Sequence, residues 1–182
     1  MTLYRILGVV LIGIMVLGCT SSQKTVRPNP RLEKMVADHA FKIEIQTAEP
    51  MVTAALAQIA NSGLLPPGNT MNRIDVKGDG YFIQMDGEKV SANLPYFGEQ
   101  QMGGGYGTDA GIVFDTQASD VQIAENAMKH SYDISFDVND GTESFSITVE
   151  LSPKLNSTVR IASSHRNRIR YTGKVKELKN VE

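Results

Sequence analysis

Three features are scarce in this sequence: cysteine, histidine and an excess of either charge. Its 182 residues include one cysteine and three histidines, with 18 basic against 20 acidic residues. A single cysteine cannot form an internal disulfide, and histidines far apart in the sequence lack the spacing of paired metal ligands. A net charge of −2 identifies no partner by long-range electrostatics. We therefore expect no disulfide, no metal site and no cofactor.

No hydrophobic run in the sequence is long enough to cross a bilayer. The longest, Ile6 to Leu17, follows the positive Arg5 and has the length of a signal-peptide core. It leads into "VLGC", which looks like a lipobox, where small Gly18 precedes a cysteine that is lipidated and becomes the mature N-terminus. We predict a lipoprotein signal peptide over residues 1–18, with fatty acyl chains such as palmitate on Cys19. The alternatives are an ordinary signal peptide or a buried N-terminal strand.

Lipidation of Cys19 would leave no free thiol, which excludes thiol catalysis. Residues 19–30 are predicted to be the lipidated cysteine and a flexible tether, because they are polar and contain two prolines. The acyl chains would anchor the protein to the cell envelope. The residues after Cys19 lack the acidic run that sends some lipoproteins to the cell surface. We therefore predict an outer-membrane location facing the periplasm.

Residues 31–182 are predicted to form one β-rich domain that begins with two helices. Asn29 and Pro30 suit the cap and first position of the first helix. Its predicted apolar face comprises Leu32, Met35, Val36 and His39. The second pattern, "TAEPMVTAALAQIANSG", has Pro50 in its first turn and Gly63 at its end. Its predicted apolar face comprises Met51, Val52, Ala55, Leu56 and Ile59.

From Asn72 onward apolar and polar residues alternate almost to the end, which predicts short strands. Asp86-Gly87 predicts a tight hairpin, because such turns need positive φ. The clearest hairpin joins "YDISFDV" to "ESFSITVEL" through "NDG", with one dry face and one wet face. The predicted fold is mainly β, bordering on α+β. It is a curved antiparallel sheet, a sandwich or partly closed barrel, with one or two N-terminal helices packed against it.

Three segments carry a resemblance to a known family. They are "LPYFG" (Leu94–Gly98), "AGIVFD" (Ala110–Asp115) and "ASSHRNRIRYTGKV" (Ala162–Val175). In these the chain resembles the bacterial envelope lipoproteins of family 4251 of the domains of unknown function. The resemblance covers roughly Phe41 to Leu178 and implies the fold and an envelope location, but no activity. The family motif commonly continues with arginine and a small residue, where this chain has Glu99 and Gln100, so no role of that arginine is carried over.

The "LPYFG" motif has two interpretations. If the chain stays extended, Tyr96 and Phe97 point to opposite sides. They form either an aromatic plug that closes one end of the sheet or an aromatic lip over a ligand cleft. Tyr106 lies in the following glycine-rich loop, which is either a ligand flap or a flexible hairpin tip. This loop does not fit a dinucleotide fingerprint, because a strand pattern rather than a helix follows it.

A basic strip near the C-terminus is the other candidate surface. From Lys154 onward the chain has eight basic and two acidic residues. Spacing of two places the strip on one face of a strand, as either a solvated edge or a binding surface for anionic lipid headgroups or acidic glycans. The strip comprises Arg166, Arg168, Arg170, Lys174 and Lys176.

Catalytic motifs are missing from the sequence. It has no G-x-S-x-G element, and the calcium-like turn "DVNDGTE" has Gly141 where a ligand is needed. The sequence therefore predicts a non-catalytic, lipid-anchored binding or accessory module that faces the periplasm. Its partner would be a protein, glycan or lipid, besides the anchoring membrane, and not nucleic acid. The alternatives are a structural or assembly factor of the outer membrane and an uncharacterised hydrolase.

Overall fold

The structure is a computed structural model that describes residues 27–63, 67–99 and 111–178. Cys19 and Tyr106, two of the predicted site residues, lie outside these ranges. Two helices are described, α1 (Pro30–Ala37) and α2 (Ala54–Asn61). The strands are β1 (Ala40–Pro50), β2 (Ile74–Asp75), β3 (Phe82–Asp86), β4 (Lys89–Leu94), β5 (Ile112–Gln117), β6 (Ser119–Asn126), β7 (Ser131–Asp140), β8 (Glu143–Leu151), β9 (Asn156–Ser163) and β10 (Ile169–Glu177).

The strands form one antiparallel sheet that is nearly closed into a barrel. Their order is β5-β4-β3-β1-β10-β9-β8-β7-β6, with β2 paired to β1. β5 and β6 are separated only by Ala118, yet Gln117 pairs with Lys89 of β4 and Ser119 pairs with Asp137 of β7. The chain thus crosses the seam between the two edges of the sheet. The prediction of a curved antiparallel sheet is confirmed, in its barrel-like form.

The core lies inside this curved sheet because alternate residues of each strand point inward. In the hairpin of β7 and β8, Phe136 faces Ile147 and Val138 faces Phe145, and all four side chains are buried. The rings of Phe114 and Phe145 meet across the interior with centroids 5.6 Å apart. The predicted division into a dry and a wet face is confirmed for this hairpin.

Helix α1 covers one end of the barrel. Asn29 caps it as predicted, since its side chain accepts a hydrogen bond from the Arg31 N–H at 3.1 Å. The Asn29 amide also donates to the Pro153 carbonyl at 2.7 Å, which fixes the helix to the β8–β9 turn. The buried side chains of α1 are Leu32, Met35 and Val36. His39 lies beyond the helix at a φ of +50°, so its predicted place on the helical face is wrong.

The second helix is shorter than the sequence predicts. Residues up to Pro50 belong to β1, and Pro50 pairs with Ile169 of β10. Met51 and Val52 precede the helix and are 51% and 50% exposed, so their assignment to its apolar face is wrong. Pairing with β10 keeps the chain extended as far as Pro50, although the sequence there suits a helix N-terminus. Gly63 follows the helix at a φ of +74°, as predicted.

The two ends of the barrel are far apart. Helix α1 and the β8–β9 turn lie at one end, here called the α1 end. β1 finishes and β10 begins at the other, here called the far end. The eleven residues of β1 span roughly 30 Å at about 3.3 Å per residue. Asn29, within the predicted tether, contacts the β8–β9 turn at the α1 end.

Candidate functional site

A groove with a volume of about 580 Å³ opens on the outer wall of the sheet near the far end. Strands β1, β8, β9 and β10 form its base, and the segment after β1 forms one side. Its basic residues are Arg160, Arg168 and Arg170. Its other polar side chains are Glu49, Asn72, Ser146 and Thr148. Pro50 and Met51 lie at its rim. We call this the arginine groove.

Strand register brings the arginines together. Arg160 of β9 lies directly opposite Arg170 of β10 on the outer face, between buried neighbours that point inward. Thr148 is opposite Arg160 on the other side, and Glu49 is opposite Arg170. Directly opposed residues have Cβ atoms about 4.5–5.5 Å apart, so the two guanidinium groups can reach a common point. Arg168 immediately precedes β10, and its side chain is exposed.

The positive charge of the groove is only partly compensated. Arg170 forms an ion pair with Glu49, whose side chain is 17% exposed. Arg160 lies 3.6 Å from Glu150, but both side chains are well exposed, so this pair contributes little. Across residues 27–63, 67–99 and 111–178, Arg168 forms no ion pair with a carboxylate. The groove therefore presents at least one uncompensated guanidinium group.

The rest of the predicted basic strip lies elsewhere. Lys174 donates to the Asn156 side chain, and Lys176 forms an ion pair with Glu44 at 2.6 Å, both towards the α1 end. Arg166 lies in the turn before β10, so the prediction that it shares a strand face with the others is wrong. Of the five predicted residues, Arg168 and Arg170 belong to the groove.

Arg166 instead joins three parts of the far end. Its Nε lies 3.0 Å and 3.3 Å from the two carboxylate oxygens of Glu143 at the start of β8. Its Nη1 donates to the Gly111 carbonyl at 2.8 Å, on the opposite side of the seam. Its guanidinium carbon lies 5.2 Å from the centroid of the Tyr96 ring. The Arg166 and Glu143 side chains are only 12% and 16% exposed, so this pair is well shielded from water.

Two tyrosines complete this closure. The Tyr96 hydroxyl lies 3.0 Å from the Glu99 carbonyl and 3.1 Å from the Asn167 carbonyl. The fully buried Tyr171 donates to the Pro95 carbonyl at 2.7 Å. Burial raises the pKa of both hydroxyl groups above the ordinary value for tyrosine. We call Tyr96, Arg166, Glu143 and Tyr171 the seam clasp.

The geometry of "LPYFG" favours the plug over the lip for Tyr96. Its side chain is 8% exposed and its hydroxyl is satisfied by backbone carbonyls. A Cβ on Gly98 would overlap that hydroxyl, so glycine lets the chain fold back over the ring. Phe97 is half-buried and packs against the core. Its role as a partner surface stays a prediction.

The described residues offer little to metal or hydrolytic chemistry. They contain no group of three histidine, cysteine, aspartate or glutamate side chains that could hold a metal ion. The Ser164 hydroxyl lies 2.8 Å from Nδ1 of His165, but Glu143 is bonded to Ser163 and Arg166 instead of this histidine. A serine–histidine pair without a carboxylate to orient it is not a catalytic triad. No helix in the described part is long and apolar enough to cross a membrane.

Fold and site together define a small β-rich domain with a helix over one end and an arginine groove near the other. The family model described as "Domain of unknown function (DUF4251)" matches residues 24–175, and the chain belongs to this family. A similar fold occurs in the crystal structure of a DUF4251 family protein from Bacteroides eggerthii. That protein is 14% identical with a TM-score of 0.56, over 81% of this chain and 86% of that chain. No curated protein matches the chain. The predicted family is therefore confirmed.

Sequence reasoning missed part of the groove. Arg160 is the fourth residue of "STVRIAS", an alternating strand pattern in which it faces outward. This pattern could have identified it as exposed. Its opposition to Arg170, however, depends on the register of β9 against β10. Met51 was missed because its segment was assigned to a helix.

Proposed function

We propose that this protein is a lipid-anchored domain of the bacterial envelope that faces the periplasm and binds an anionic partner in the arginine groove, without catalysis. The observation that carries the proposal is the direct opposition of Arg160 and Arg170 on neighbouring strands, with Arg168 beside them. Like charges in directly opposed positions destabilise a sheet. An anion bound between them would remove that cost.

The placement of the groove supports this proposal. The "VLGC" motif and the polar residues after it favour an anchor and tether on the N-terminal side of α1. Since the groove residues of β1 and the start of β10 lie at the far end, an anchored domain could hold that part of the groove away from its own membrane. A groove in that position suits a partner that reaches it from the periplasm.

The anchor is tested separately from the groove. Cells expressing the protein would be fed an alkyne-bearing palmitate analogue, and label would be measured on the wild type and on Cys19→Ser. We expect label and detergent-phase partitioning for the wild type and neither for the variant. An unlabelled wild-type protein would refute lipidation while leaving the groove untested.

The groove is tested by photo-crosslinking in cells. A photoreactive amino acid is placed at Ala162, which lines the groove, or at Ser91, a half-buried residue of β4, as the control. We expect adducts from Ala162 that disappear when Arg168→Gln is added, and none from Ser91. Absence of adducts at Ala162, or the same adducts at both positions, would refute binding in the groove. It would then favour a structural role.

A further inference from the structure

Resting on the proposed function, we infer that the arginine groove binds a single phosphate-bearing amphiphile. Its phosphate lies among Arg160, Arg168 and Arg170, and its aliphatic part lies against Pro50 and Met51. Proteins and glycans also carry anionic groups, but the shape and chemistry of this groove fit a phosphorylated lipid-like molecule.

The arginines favour phosphate over carboxylate. A guanidinium group is a planar fork that binds two oxygens at once. A carboxylate offers two oxygens and is satisfied by one fork. A phosphate monoester offers three free oxygens and up to two charges, and so can engage the guanidinium groups of Arg160 and Arg168 together, beside the Arg170–Glu49 ion pair. The hydroxyl groups of Ser146 and Thr148 line the same groove and add donors for the remaining oxygen.

The groove is too large for a phosphate alone. Its volume of about 580 Å³ lies within the range of roughly 300–1,000 Å³ typical of pockets for drug-sized ligands. The groove therefore has room for a second part of the ligand beyond the arginines. Pro50 and Met51 line that space and provide an apolar wall.

Met51 is suited to an aliphatic ligand. Its side chain is 51% exposed beside three guanidinium groups, although a thioether gains nothing from charged neighbours. Methionine is flexible and apolar, so it adapts to chains of varied shape. The neighbouring Val52, at 50% exposed, extends the apolar surface of the link between β1 and α2. Covering this surface with an acyl chain would remove it from water.

The site is inferred to take one molecule and not a membrane surface. The groove is a recess in the wall of the barrel, and its part formed by Pro50 and Arg168 lies at the far end, away from α1 and the predicted tether. Surface binding to headgroups needs cations spread over a broad face, whereas Lys174 and Lys176 of the predicted strip lie outside the groove, paired with Asn156 and Glu44. The residues of the groove line an open recess of about 580 Å³ that one amphiphile can enter.

The test is calorimetric titration of the protein as cells make it, held in phosphatidylcholine nanodiscs. Three probes are compared: dihexanoyl phosphatidate, inorganic phosphate and dihexanoyl phosphatidylcholine, each corrected with empty discs. We expect phosphatidate to bind at least tenfold more tightly than either of the others. Arg168→Gln should weaken phosphatidate at least tenfold. Met51→Gln should weaken phosphatidate several-fold and leave phosphate unchanged. The matched control Lys174→Gln, on the same strand outside the groove, should stay within twofold.

Each alternative result overturns the inference. Equal affinity for phosphate and phosphatidate would mean a site for a free anion. Equal affinity for phosphatidate and phosphatidylcholine would mean apolar adsorption without recognition of the phosphate. Absence of phosphatidate binding would refute an amphiphile as the ligand. Binding to anionic phosphatidylglycerol vesicles that falls equally in Arg168→Gln and Lys176→Gln would mean a membrane surface. If Ala162 still gives adducts that depend on Arg168, and these are proteins or glycans, the proposed function stands while this inference fails.

Discussion

Replacing Tyr171 with phenylalanine tests the closure of the far end. Tyr171 is 0% exposed, and its hydroxyl donates to the carbonyl of buried Pro95 at 2.7 Å. The variant keeps the ring and loses the donor, which leaves a buried carbonyl without this partner. Such a loss costs about 1–3 kcal/mol in the free energy of unfolding. We expect Tyr171→Phe to be less stable by that amount at pH 7.

The same hydroxyl predicts a dependence on alkaline pH. Burial raises the pKa of Tyr171 above the unfolded value of about 10. Below pH 10 both states hold the proton, so stability is unaffected. Above pH 10 the unfolded state loses the proton while the folded state keeps it, and the free energy of unfolding falls by about 1.4 kcal/mol per pH unit. The variant lacks this titration. The difference in free energy of unfolding between the wild type and Tyr171→Phe should therefore shrink by about 2 kcal/mol between pH 10 and 11.5.

Urea unfolding followed by far-ultraviolet circular dichroism measures both effects. At about 2–4 °C per kcal/mol for a domain of this size, the variant's melting temperature at pH 7 should be lowered by roughly 2–12 °C. Tyr81→Phe, at a half-buried tyrosine, is the control for loss of a hydroxyl. A deficit for Tyr171→Phe that stays constant from pH 8 to 11.5 would refute the argument from burial. A deficit below a few tenths of a kcal/mol at pH 7 would refute the hydrogen bond.

Three further variants test the packing of β10 against β1, the seam clasp and the arginine groove in turn. Gly173→Ala places a Cβ against the carbonyl oxygen of Glu44 on β1, so we expect urea unfolding to show a loss of about 1–3 kcal/mol; a gain would contradict this contact. Glu143→Gln leaves the nearly buried Arg166 without its carboxylate and should cost roughly 3 kcal/mol, and a double-mutant cycle with Arg166→Met should show strong coupling between the two positions. Arg160→Thr should leave the free energy of unfolding unchanged or raise it by about 0.2–1 kcal/mol, because it removes a like charge opposite Arg170. The same variant should weaken phosphatidate binding at least tenfold. Loss of stability with binding retained would mean that Arg160 has a structural role and does not bind the ligand.

Much of the sheet could be predicted because its signals are local. The β7–β8 hairpin joins two alternating segments through a short turn, so its pairs follow from counting outward from the two turn residues Gly141 and Thr142. Gly87 has a φ of +62° in the turn after Asp86, as its type of hairpin requires. Asn29 and Pro30 start α1 by rules that involve only neighbouring residues. In each case the partner is close in sequence.

The end of β1 could not be predicted in this way. Pro50 and the residues after it match the start of a helix, and local rules placed them there. Pro50 instead pairs with Ile169, more than a hundred residues later, and this pairing decides the conformation. Because proline has no N–H to donate, it is tolerated at the end of the strand. A non-local contact thus overrode the local preference and placed Met51 at the rim of the groove.

The candidate site shows the same division. The alternation of basic and apolar residues along the C-terminal strand identified Arg168 and Arg170 as outward-facing. Only the register of β9 against β10 sets Arg160 opposite Arg170. The spacing of two also misplaced Arg166, because the strand begins three residues later than the pattern. The three segments that resemble the family meet in the seam clasp, where Pro95 bonds to Tyr171 and Gly111 bonds to Arg166. All three segments therefore contribute residues to the closure of the far end.

The clasp and the groove are joined through one turn. The Ser163 hydroxyl accepts hydrogen bonds from the backbone N–H groups of His165 and Arg166, and the Asn167 N–H donates to the Glu99 carbonyl. Together with the side-chain bonds of Arg166, these contacts fix the backbone that carries Arg168. Groups held in place before binding lose less conformational entropy when a ligand arrives. The clasp satisfies its buried polar groups, whereas the groove sets like charges side by side and exposes Met51. Departures from local rules are expected at functional sites, and this supports the proposal that the arginine groove binds a ligand.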